Sequence, residues 1–125
     1  MSLILIVEDN DKNMKLVRDI VRHKGHTTLE ATTGEAGVQL ATLHRPDLIL
    51  MDIQLPGIDG NEALRRIRAQ PGLADVPVVA VSASVMPDDQ RHIVNSGFDA
   101  FVPKPISLKP FVAVVERFLK DGRSR

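Results

Sequence analysis

The sequence predicts a doubly wound α/β domain, with one parallel five-stranded sheet covered by helices on both faces. Three observations carry this. Short runs rich in branched residues alternate with longer segments whose apolar residues recur at helical spacing. The runs Leu3–Val7, Leu48–Ile53 and Val76–Val81 are apolar throughout rather than alternating, as in strands covered on both faces. Glycine or proline stands at most boundaries between the two kinds of segment. A chain of 125 residues has room for one domain, expected over residues 1–125 with a core over about 3–120 and no second domain in this chain.

Each element can be justified in order. Leu3–Val7 is the first strand and runs into Glu8-Asp9-Asn10. Asp11–Lys24 carries Met14, Val17, Ile20 and Val21 on one helical face, and Gly25 ends it. His26–Ala31 is a weaker second strand. Thr33 can cap a second helix that buries Ala36, Leu40 and Ala41, and Pro46 stops it. Asp47–Asp52 is the third strand, and Leu55–Gly60 is a loop by composition. Asn61–Gln70 turns Leu64 and Ile67 inward and Arg65, Arg66 and Arg68 outward, until Pro71-Gly72 breaks it. Pro77–Ser82 is the fourth strand, and Pro87–Ser96 the fourth helix, stopped by Gly97. Phe98–Val102 is the fifth strand, with Pro103 marking an edge because it cannot donate to a ladder. Ser107–Lys120 is the last helix, with Leu108, Phe111, Val112, Val115, Phe118 and Leu119 inward. Five strands and five helices in alternation predict a three-layer (βα)5 sandwich, with the flavodoxin-like strand order 2-1-3-4-5.

Composition excludes several functions. With no cysteine there is no disulfide, thiolate nucleophile or cysteine metal site. Sixteen basic against sixteen acidic residues, and four aromatics that are all Phe, argue against direct nucleic-acid binding. Those four, Phe98, Phe101, Phe111 and Phe118, all fall after residue 97. No run reaches the roughly 18 apolar residues that span a membrane, and no signal peptide is apparent. The expectation is a cytoplasmic domain with no membrane insertion.

In a sheet of this order, ligands bind at the carboxyl ends of the strands. Strand 1 ends in Glu8-Asp9, strand 3 in Asp52, strand 4 in Ser82-Ala83-Ser84, and strand 5 in Pro103-Lys104-Pro105. Three adjacent carboxylates repel unless a cation sits among them. All-oxygen ligation by a few carboxylates suits Mg²⁺, and Mg²⁺ with a lysine suits a phosphoryl group. Taken singly, each residue has a commoner role. Glu8-Asp9-Asn10-Asp11 could be a solvated helix cap, and Lys104 a surface lysine. Their meeting at one sheet edge sets them apart.

At these residues the chain resembles the receiver domains of two-component response regulators. The resemblance rests on LILIVEDN, PDLILMDIQLPGIDG, VPVVAVSA and FVPKPIS, and covers about residues 3–120. VEDNDKNMKL and PDLILMDIQLP look most like the DivK-type single-domain regulators and the receiver modules of hybrid sensor kinases. The resemblance implies that Asp52 accepts a phosphoryl group. It implies that Glu8, Asp9, Asp52 and the backbone carbonyl of Gln54 hold Mg²⁺, and that Lys104 contacts the phosphoryl oxygens. Ser82 corresponds to the switch hydroxyl, Phe101 to the switch aromatic, and Ala83 to the small residue beside the phosphoryl group. Gln54 and Ser84 flank the site, and Lys104–Pro105 is expected to be cis. Ser82 stands where Thr is more usual, and Phe101 where many members have Tyr, so the polar part of the switch is reduced.

The implied function is a phosphorylation-activated switch rather than a turnover enzyme. Its donor would be a sensor histidine kinase or a histidine phosphotransfer protein. Its output would be a changed protein-binding face on helix 4, strand 5 and helix 5, with Val85, Met86, Ile93, Phe101 and Pro110 as candidates. The alternative is a pseudo-receiver that binds proteins without phosphorylation. Other enzymes on related folds fit poorly. There is no glycine fingerprint after strand 1, no P-loop, and Gln54 stands where a haloacid-dehalogenase-type phosphatase has a second Asp.

Overall fold

The computed structural model describes residues 2–83, 91–93 and 95–122. The strands are β1 (Leu3–Val7), β2 (Thr27–Ala31), β3 (Leu48–Asp52), β4 (Val78–Ser82) and β5 (Ala100–Pro103). The helices are α1 (Asp11–His23), α2 (Gly34–His44) and α3 (Gly60–Arg68), then α4, described at 91–93 and 95, and α5 (Leu108–Asp121). All four strand pairs are parallel, in the order β2-β1-β3-β4-β5. Pro103 closes β5 at the sheet edge, opposite Ser82.

The unbroken apolar strands are explained by two cores. Leu5, Val7, Ile49, Met51, Val78 and Ala80 face one layer, with Ala41 of α2 and Ala63, Leu64 and Ile67 of α3. Ile4, Ile6, Leu48, Leu50, Val79 and Val81 face the other, with Met14, Val17 and Val21 of α1 and Phe111, Val115 and Phe118 of α5. Alternate residues of one strand thus feed opposite layers.

Side-chain caps fix three helix starts. Asn10, Thr33 and Asp59 accept from the backbone N–H of Asn13, Ala36 and Glu62. Gly25, at φ 91°, turns the chain after α1.

Several expectations need correction. β2, β3 and β4 start one residue later than predicted, at Thr27, Leu48 and Val78. β5 starts at Ala100 rather than Phe98, because pairing with β4 begins at Val79 and Ala100. Phe98 is buried as core instead. Leu108 is 58% exposed, since the first turn of α5 overhangs the core. With Leu16 of α1 it lines an open groove of about 760 Å³ between the two helices. Arg68 does not face solvent. Its guanidinium bonds the carbonyls of Leu73 and Val76 and pairs with Asp99 at 2.9 Å. Residues 87–90 and 94 of the predicted fourth helix, and Val85 and Met86 before it, lie outside the described residues.

Candidate functional site

The carboxyl ends of β1, β3, β4 and β5 assemble the site. The residue after β1, Glu8, is 3% exposed and held by its backbone N–H on Ala31 O at 2.9 Å. Its Oε2 accepts from Asn10 N at 3.1 Å, so the cap of α1 and the buried carboxylate share one turn. Asp9 is exposed. Asp52, the last residue of β3, is 6% exposed, and its Oδ1 accepts from Gln54 N at 3.1 Å. Glu8, Asp9 and Asp52 each bring a carboxylate oxygen within 4.8 Å of the others.

Lys104 closes the group from the far side of the sheet. Its backbone N–H bonds Ser82 O at 2.8 Å, and the following peptide bond, Lys104–Pro105, is cis as expected. The side chain then reaches across β4, placing Nζ 2.8 Å from Glu8 Oε1 and 3.0 Å from Asp52 Oδ2. Burial pushes the Glu8 carboxyl above its ordinary value, against the lowering pull of Lys104 and Asn10 N–H. Burial alone would lower the Lys104 ammonium, but its bonds to Glu8 and Asp52 hold it above its ordinary value.

One ammonium among three carboxylates leaves the site short of positive charge. Unit charges about 4 Å apart still interact by about 4 kcal/mol at an effective dielectric near 20, so the imbalance is not screened away. A set of hard oxygen donors with one exposed member fits Mg²⁺, which keeps some of its waters.

The remaining predicted residues lie at and beyond the ends of β3 and β4 and on β5. Ser82 ends β4 and is buried, one residue beyond Val81, the partner of Asp52 in the sheet. Ala83 is exposed above it, and Gln54 is exposed on the β3–α3 loop. Phe101 is half-buried on the edge strand, packed against the layer that holds α2 and α3. Ser84 lies outside the described residues. The Lys104–Glu8 contact was not anticipated. The acidic pair of EDN leaves open which acid turns inward; Glu8 does, held by the Asn10 N–H and Lys104. Gly60, the first residue of α3, also lies against this loop. Its N–H bonds Ile53 O at 2.8 Å and closes the segment after Asp52.

Comparison with known proteins agrees with the geometry. The response regulator receiver domain family matches residues 4–116. The chain is similar to the polar-differentiation response regulator DivK of Brucella anthropi, at 42% identity over 119 residues, 95% of this chain and 97% of that protein. The DivK of Brucella abortus is 41% identical over the same shares. The receiver domain of sensor histidine kinase PA1611 from Pseudomonas aeruginosa superposes with a TM-score of 0.89. It is 31% identical, with 96% of this chain and 98% of that one covered, and its structure has a magnesium ion coordinated in the active site cleft. The chemotaxis response regulator CheY4 of Vibrio cholerae shares the fold, at 20% identity, a TM-score of 0.88 and coverage of 94% and 98%. Sequence match, sheet order and the acidic edge beside Lys104 agree, and the chain belongs to the response regulator receiver domain family of two-component systems.

Proposed function

We propose that the domain is a signalling switch in which Asp52 takes a phosphoryl group from a histidine of a partner kinase or phosphotransfer protein. The observation that carries this is the buried Asp52 carboxylate, within 4.8 Å of two further carboxylates and bridged by Lys104. A carboxylate oxygen of Asp52 attacks phosphorus. The new O–P bond forms as the P–N bond to the donor histidine breaks, and the histidine nitrogen keeps the electron pair.

Glu8, Asp9, Asp52 and the Gln54 carbonyl are the residues that would hold Mg²⁺. When bound, the ion neutralises charge on the transferring group. Lys104 Nζ bonds a phosphoryl oxygen in exchange for its contact with Asp52. The Ser82 hydroxyl, at the end of the neighbouring strand, donates a second bond. Phe101 follows Ser82 inward, and the altered face of α4, β5 and α5 is read by a downstream protein. On that face Ile93 is core and Pro110 is exposed. Hydrolysis of the acyl phosphate by water, with Gln54 and Ser84 beside it, resets the switch.

The test is intact-mass measurement after incubation with Mg²⁺ and acetyl phosphate. One phosphoryl mass is expected, lost with a chelator and in Asp52→Asn. No gain refutes the reading and favours a protein-binding module without phosphorylation; a gain that survives in Asp52→Asn refutes Asp52 as the acceptor.

A further inference from the structure

We propose that Gly60 is a positioning residue for this site, setting where the Asp52–Gln54 backbone lies. The inference rests on the phosphoacceptor reading of Asp52. A Cβ at residue 60 would stand 2.7 Å from Ile53 Cα, 2.9 Å from Asp52 O and 3.3 Å from Ile53 O. All three are backbone atoms, so no flexible side chain can swing aside. The first turn of α3 thus rests directly on the peptide that follows the phosphoacceptor.

The contact has few ways to relax. β3 is held between β1 and β4, with Asp52 itself in register with Val81. The start of α3 is held by the Asp59 cap and by Ala63, Leu64 and Ile67, all buried. Residues 53–55, just beyond the β3 ladder, are the joint that gives way. That stretch carries the Gln54 carbonyl proposed as a metal ligand. It also carries the Gln54 N–H, which bonds Asp52 Oδ1 at 3.1 Å and sets the rotation of the carboxylate. A methyl at position 60 therefore moves a ligand and the nucleophile together, while Glu8, Asp9 and Lys104 stay in place. A misplacement of this kind costs rate even when the residue moved is not itself reacting.

The test compares Gly60→Ala with Gly72→Ala in the full chain. Gly72 lies on the α3–β4 connection, before the amino end of β4, at φ 83°, with Arg45 Nη1 2.7 Å from the site of a Cβ. Both variants are expected to melt below the parent protein. Gly60→Ala is expected to weaken Mg²⁺ binding at least threefold, by titration of the unphosphorylated protein. At saturating Mg²⁺ it is expected to slow labelling by acetyl phosphate at least tenfold. Gly72→Ala keeps both parental values. Parental affinity and rate in Gly60→Ala, or equal losses in both variants, overturn the proposal. A parent protein that takes no phosphoryl group overturns the functional reading instead. Should Gly60→Ala not fold, the parent decides. The Gly60 amide resonance is expected to shift with Mg²⁺ at the same midpoint as Ile53 and Gln54, with Gly72 still. A stationary Gly60 refutes the coupling.

Discussion

Replacing Lys104 by Met keeps the length of the side chain and removes its charge. Nζ lies 2.8 Å from Glu8 and 3.0 Å from Asp52, and at an effective dielectric near 20 each contact is worth about 5–6 kcal/mol before desolvation. What matters is the state left behind. Glu8 and Asp52 are too deeply buried to turn towards water, so the variant keeps two unpaired carboxylates facing one another. Removing one partner of a buried pair costs about 3–5 kcal/mol. Glu8 already titrates above its ordinary value, and without Lys104 it rises further. A raised folded value gives stability that is full below the unfolded value and lost as pH rises through the folded one. The deficit should therefore be largest at neutral pH and shrink in mild acid. Urea unfolding in chelator is expected to show a loss of at least about 3 kcal/mol at pH 7, and a smaller loss in mild acid. Added Mg²⁺ should restore much of the loss at pH 7. A loss below about 1 kcal/mol, the range of a surface pair, or one unchanged by acid, would refute this account of the site's charge.

Three further outcomes follow from the same structure. Gly37→Ala places a methyl 2.8 Å from Val7 Cγ2 where α2 crosses β1, and should lower stability by about 1–3 kcal/mol in thermal or urea unfolding. Asp99→Ala removes the carboxylate bonded to Arg68 and to the Val78 N–H, at 2.9 and 2.8 Å, and should cost about 3 kcal/mol, with Asp99→Asn milder. Mg²⁺ binding should weaken as pH falls through the raised Glu8 value, at a higher pH than an ordinary carboxylate site, because the ligand must lose its proton; calorimetric titration across pH 5–8 checks it.

Much of the fold is legible in the chain because local signals agree with the global packing. Thr33 and Gly25 end or start helices where predicted, and the apolar stripe of α3 faces its layer. The misreadings have physical causes. Leu108 and Phe98 are both apolar, but apolarity does not say whether a residue at an element's end reaches the core. Phe98 does so without a strand partner, and Leu108 does not reach it at all. Arg68 shows the opposite error. A charged residue on a polar face is expected in water, yet three carbonyls of the α3–β4 connection and Asp99 lie within its reach. The members of the acidic edge are legible from strand ends alone. Their internal wiring depends on side-chain turns of two residues, Glu8 to Asn10 and Asp52 to Gln54, that carry no periodic signal.

The confinement of all four phenylalanines to the last 28 residues has a spectroscopic consequence. Uniform incorporation of fluorophenylalanine gives four fluorine resonances, with no labelled ring in the β1 to β4 scaffold. Phe98, Phe111 and Phe118 are 2%, 0% and 1% exposed and serve as internal references. Phe101, alone among them, is partly exposed, so its resonance can be read directly against the other three. A single one-dimensional spectrum thus separates a local rearrangement of the β5 edge from a change in the whole domain.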